Sequence, residues 1–168
     1  MKKILLLITI FIVSCNTSIS DGKYIQWMGD SEIANNYVRK GIFHWYNVEW
    51  EKAYSFFSGA IEEDPTLFAP HVVLSWLSDG DAKKMHKEKA KELVQGKNEN
   101  SQLFVSILDF EGPDNATKRN EIWSKMHGIE PDGGFINYMY AWTIQDRKER
   151  INEFENFLKQ EKEDGDTY

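Results

Sequence analysis

The chain is expected to be all-α, an array of about four helical hairpins, and three observations lead there. From Asp30 onward apolar residues recur at three-and-four spacing, the period of a helix that buries one face. Gly, Pro, Asn and Asp break this pattern at short intervals, so the helices should be short and paired. No stretch alternates apolar and polar residues in the manner of a half-buried strand.

Composition limits what such an array can be. At 168 residues, 41% hydrophobic and 28% charged, the chain can bury one core, which excludes disorder throughout. A net charge of -7 disfavours nucleic acid, whose phosphates are held by clustered Lys and Arg. The lysine run Lys83, Lys84, Lys87, Lys89 and Lys91 is interrupted by Glu88 and Glu92 and reads as a solvated helix face. Cys15 is the only cysteine, so neither an intrachain disulfide nor a cysteine-bound zinc cluster can form.

Residues 1–14 read as a secretory leader. Lys2 and Lys3 precede an apolar run from Ile4 to Val13, too short for a membrane span, which needs roughly 20 residues. The ending Ile12-Val13-Ser14-Cys15 resembles the lipobox of bacterial lipoproteins, which implies cleavage before Cys15 and acylation of its thiol. Acyl chains bury about 0.8 kcal/mol per methylene, so such an anchor holds without a transmembrane helix. Asn16, where an Asp commonly marks inner-membrane retention, implies the outer membrane in a diderm host. Residues 15–29 are polar and turn-rich and are expected to form the anchor and tether, with Tyr24, Ile25, Trp27 and Met28 packing back onto the first helix.

The helical domain is placed at 30–163, followed by a polar tail at 164–168. Its first helix carries Ile33, Tyr37, Val38, Gly41, Ile42 and Trp45 on one side. Asn47 is expected to cap a second helix with Glu49 and Glu51 in its first turn, where the helix dipole favours acids. In that helix Trp50, Ala53, Phe57 and Ala60 share a face, and Pro65 follows its end. Gly41, Trp50, Ala53, Phe57, Ala60 and Pro65 together resemble the signature of a tetratricopeptide repeat. The resemblance implies a solenoid, an α/α superhelix in which small Gly41 and Ala53 let two helices approach and Phe57 fills the space beside them.

The second unit runs from Thr66, with Phe68, Val72, Val73 and Trp76 in one helix, a turn at Asp79-Gly80-Asp81, and a stripe of Ala82, Met85, Ala90, Leu93 and Val94 in the next. The third begins near Ser101 with Leu103, Phe104, Ile107 and Leu108, breaks at Gly112-Pro113, and resumes through Ile122, Trp123 and Met126 to Pro131. Pro65 and Pro131 lie 66 residues apart, close to two periods of a roughly 34-residue repeat. Arg119 stands where the family has Ala, and Ile107 where it has a small residue. The fourth unit has Phe135, Tyr138, Ala141 and Trp142, then a capping box at Asp146 and Glu149 and a polar helix with Ile151, Phe154, Phe157 and Leu158, suited to closing a solenoid.

The resemblance implies that the first helices line a concave face. There Trp45, Trp76, Tyr138 and Trp142 offer flat rings, and Asn35 and Arg39 offer hydrogen bonds, as a partner-binding groove. Two environments are open to the Trp rings, groove or core between repeats. The four His are scattered, without the two-His spacing of a helical zinc site, and no nucleophile elbow, Walker loop or dinucleotide fingerprint occurs. No enzyme, metal or cofactor is expected. The expected function is an envelope-anchored scaffold that binds an unidentified protein partner, with a glycan- or small-ligand-binding lipoprotein as the alternative.

Overall fold

A computed structural model describes residues 22–163. The leader at 1–14, Cys15 and the tail at 164–168 lie outside the described residues. Within them the chain is all-helical, with α1 Glu32–Tyr46, α2 Trp50–Glu63, α3 Phe68–Trp76, α4 Gly80–Leu93, α5 Glu99–Ser106, α6 Ala116–Ile129, α7 Gly134–Ala141 and α8 Arg147–Glu163. Two 3-10 turns, Ile107–Asp109 and Pro113–Asn115, separate α5 from α6. Helices pack as consecutive pairs, α1 with α2, α3 with α4, α5 with α6 and α7 with α8, and α2 and α6 pack onto the helices that follow them. This is the arrangement expected of a helical-hairpin superhelix.

Ser31 starts α1 by accepting a hydrogen bond from the Ala34 amide, 3.2 Å, which satisfies one of the free donors of the first turn. Ala34, Val38, Gly41, Ile42 and Trp45 form its buried stripe, while Ile33, expected on it, is exposed because Ala34 takes the inward place in the first turn. Asn47 closes this helix rather than opening the next, because its side-chain amide donates to the Phe43 carbonyl at 2.8 Å. Val48 then reverses the chain at φ 60, unusual for a β-branched residue, with its amide held on the Trp45 carbonyl at 3.0 Å. The cap position of α2 falls to Glu49, without a side-chain capping bond.

Ala53, Phe57 and Ala60 of α2 are completely buried. Gly41 is there for Phe57, since a Cβ on Gly41 would lie 2.7 Å from the Phe57 ring. Trp50 is 41% exposed and its ring meets that of Trp45, centres 4.7 Å apart, while Pro65 is exposed beyond the end of α2. Gly41→Ala is therefore expected to lose about 1 kcal/mol. Overpacking against a fixed ring costs roughly 1–3 kcal/mol and the gain in helix propensity returns about 1. In a Phe57→Leu background the same change should become neutral or stabilising, which a double-mutant cycle of thermal melts measures.

α3 lies against α2, α4 and α5 and buries every residue from Phe68 to Ser75, as a helix apolar on all sides must. In α4 the buried residues are His86 and Ala90, with Val94 just past its end. Ala82 and Met85, expected on that stripe, are exposed. The helix is turned so that His86 enters the core, where its Nδ1 meets Nδ1 of His71 at 2.8 Å.

Of the segment 15–29 expected as anchor and tether, residues 22–29 are described, and they are fastened to the helical domain as the packing back of Ile25 and Trp27 requires. Asn98 and Asn100, at the start of α5, donate side-chain amide hydrogen bonds to the carbonyls of Gly22, Lys23 and Tyr24. The Gln26 amide donates to Ser101 Oγ at 3.0 Å and its side chain accepts from the Asn98 amide at 3.1 Å. Asn35 then clamps Gly29 through both its amide and its carbonyl, 2.9 and 3.0 Å. Ile25 and Trp27 are buried, whereas Tyr24 and Met28 remain exposed. The Trp27 ring sits among Phe135, Phe104 and Phe57 at 4.9, 5.4 and 6.0 Å, joining three hairpins at one point.

Candidate binding cleft

The six groove residues expected from the sequence do not form one surface. Asn35 is buried and spends its amide on Gly29. The Nη1 group of Arg39 pairs with the Glu32 carboxylate at 2.8 Å. Tyr138 is buried among Tyr46, Phe157 and Phe154, ring centres 4.9 to 6.0 Å away. Trp142 is 58% exposed and touches Phe154 edge-on at 5.1 Å. On the first helices of the third and fourth hairpins, Phe104 and Phe135 are covered by the chain's own Trp27, ring centres 5.4 and 4.9 Å away.

Trp45 and Trp76 do come together. Their rings lie 5.7 Å apart, tilted by 43°, and both line an open cleft of about 410 Å³. The other walls are Ile107, Trp123 and Met139, with Lys83, Glu111, Gly112 and Arg119. Trp45 is 8% exposed and its indole Nε1 is buried without a hydrogen-bond partner. Trp76 is half-buried, so the two environments open to these rings meet at the cleft edge.

The charged edge is built by the break between α5 and α6. Gly112 adopts φ 82, a left-handed conformation suited to glycine, and turns the chain toward Arg119 on α6. Arg119 Nη1 donates to the carbonyls of Phe110 and Gly112, the second at 2.7 Å. Glu111 faces α4 and receives Lys83 and Lys87 at 3.0 and 3.3 Å. Partial burial pushes its carboxyl pKa up, but the hydrogen bonds and charges of the two lysines outweigh this and hold it below 4.5. Lys83 and Glu111 also border a second hollow, lined by Lys84, Lys87, Glu88 and Lys91. The lysine run is the solvent-facing side of α4 that the sequence suggested, and all of it but Lys89 borders this hollow beside the cleft.

Sequence reasoning passed over Arg119, Lys83 and Glu111 as site residues and placed Trp123 only in a repeat. The available signal was Arg119 itself, 66 residues after fully buried Ala53 and out of place in a packing position. Each of the four histidines has a side-chain partner. His71 pairs with His86, His44 Nδ1 lies 2.5 Å from Glu49, and His127 bonds the Asn137 side chain at 2.9 Å. Among the described residues no group of three or more His, Cys, Asp or Glu is arranged to hold a metal ion, and no helix is long and apolar enough to cross a membrane.

The cleft sets an apolar indole wall beside an edge that carries Lys83, Arg119 and Glu111. Comparison with protein families, with curated proteins and with solved structures returns no match for this chain.

Proposed function

We propose that this chain is a non-catalytic binding module of the bacterial cell envelope, a tetratricopeptide-like lipoprotein anchored through Cys15, which captures a segment of a partner protein in the Trp45–Trp76–Trp123 cleft. The observation that carries this reading is an open cleft with three indole side chains, in a chain that covers part of its remaining helix stripe with its own residues 22–29. Aromatic rings at such sites contribute large contact area at small entropic cost. A protein segment is favoured over a glycan because the polar groups that could bond sugar hydroxyls are few and partly engaged: Glu111 holds Lys83 and Lys87, and Arg119 Nη1 is held by backbone carbonyls. The scaffold role follows, with the outer membrane as the location in a diderm host because Asn16 follows the acylated cysteine.

A photo-crosslinking residue at Met139 in living cells tests the cleft, with the exposed Tyr54 position on α2 as control. Crosslinked protein is expected from 139 and not from 54. Equal yields from both positions count against the cleft, and tryptophan quenching by neutral oligosaccharides without any crosslink replaces the partner with a glycan. The anchor has its own readout. Cys15→Ser should move the protein from the membrane to the soluble fraction, and its retention on membranes would remove the lipoprotein reading.

A further inference from the structure

We propose that Arg119 is the anion-recognising group of the cleft, and that the segment bound there presents an Asp or Glu carboxylate beside a large apolar side chain. The inference rests on the cleft being a peptide site. Arg119 occupies the position that in the first hairpin belongs to Ala53, a completely buried packing residue. Instead of packing, its Nη1 is fastened to the Phe110 and Gly112 carbonyls, which fixes the guanidinium plane at the cleft wall. Its Nε and Nη2 have no partner among the described residues, and no carboxylate there pairs with it. That remaining edge is a two-pronged donor whose spacing matches the two oxygens of a carboxylate.

The surroundings leave this charge uncompensated. Glu111, the carboxylate in the cleft lining, is already engaged by Lys83 and Lys87. Around the adjoining hollow Lys84 and Lys91 pair with Glu88 and Asp109, so its four lysines face three carboxylates, and with Arg119 the edge keeps a positive balance on a chain of net charge -7. Beside Arg119 stand Trp76, Trp123 and Met139, which give an apolar side chain a place next to the carboxylate.

The test uses the purified full-length chain in detergent and a set of fluorescein-labelled, acetylated decapeptides. Each has one central Phe or Trp, with Glu, Gln or Lys placed one to four residues to either side. The tightest Glu peptides are expected to bind about 10- to 100-fold better than their Gln counterparts, the range of a hydrogen-bonded charge. Arg119→Met should abolish the Glu-over-Gln preference while Gln peptides still bind, which a merely misfolded variant would not allow. Arg119→Lys should keep only part of the preference, because an ammonium lacks the fork. Trp76→Ala should weaken Glu and Gln peptides equally. Equal binding of Glu and Gln peptides to the native chain, or a preference that survives Arg119→Met, overturns the role of Arg119 and leaves the peptide site standing. Failure of every peptide to bind defeats the peptide reading and this inference with it.

Discussion

Trp27→Ala should be among the most damaging single substitutions in the domain, lowering stability by about 3–5 kcal/mol. A domain of this size has only about 5–15 kcal/mol in total. The residue lies in an extended segment before the first helix, yet its ring is the common neighbour of Phe57 in α2, Phe104 in α5 and Phe135 in α7. Truncation removes a large buried ring and leaves a void that three hairpins would have to close together. Thermal melts followed by circular dichroism should shift down by roughly 10 °C or more. Trp142→Ala, at a ring 58% exposed, should change stability by no more than about 0.5 kcal/mol. If Trp27→Ala melts like the native chain, residues 22–29 are a tether after all.

Acid is expected to destabilise the domain from a pH well above that at which carboxylates titrate. Burial first, and then the charges of His86 and Lys89, push the His71 pKa from 6.5 down to about 4, and burial lowers that of His86 as well. The two Nδ1 atoms face each other at 2.8 Å, so one ring donates and the other must be unprotonated there to accept. Above pH 6.5 the pair is neutral in both folded and unfolded chains, and its contribution is complete. Between 6.5 and 4 the unfolded chain takes up protons that the folded chain refuses, so stability falls as pH falls. Below about 4 this dependence ends. For His71 alone the loss approaches ~3 kcal/mol across that window. The carboxyls of Glu32, Glu49 and Glu111 are held below 4.5 by their cationic partners, so losses through them come later on acidification. Urea unfolding at pH 7.5 and 5 measures the difference. Replacing both residues, His71→Leu with His86→Leu, should flatten the curve in that window, and an unchanged slope would show that the pair does not set it.

The helices were legible because their signals are local. The stripe of α1 from Val38 to Trp45, the turn at Gly112-Pro113 and the buried face of Ala53, Phe57 and Ala60 all follow from residues three or four apart, and the structure has them where the spacing put them, whereas Ile33, expected at the start of that stripe, is exposed. Boundaries were less legible. Asn47 has the chemistry to cap either neighbouring helix, and the backbone turn at Val48 decided for α1. In α4 the apolar spacing favoured Met85, yet the helix rotates His86 inward because His71 on α3 supplies the polar partner that makes its burial tolerable. No pattern within α4 announces that partner.

The site was the least legible part. Trp45 and Trp76 were identified as candidates, while Asn35, Tyr138 and Trp142 went to three unrelated environments, because periodicity says which face a residue is on and not what covers that face. The sequence by itself determined the helical class, the hairpin pairing and the close packing of Gly41 on Phe57, all set by short-range sterics and apolar spacing. Only the tertiary structure decided that residues 22–29 return to Asn98, Asn100 and Ser101, more than 70 positions away, and that Arg119 reaches the same cleft as Trp45. Those contacts join distant segments, and their energy depends on geometry that exists once the hairpins have packed.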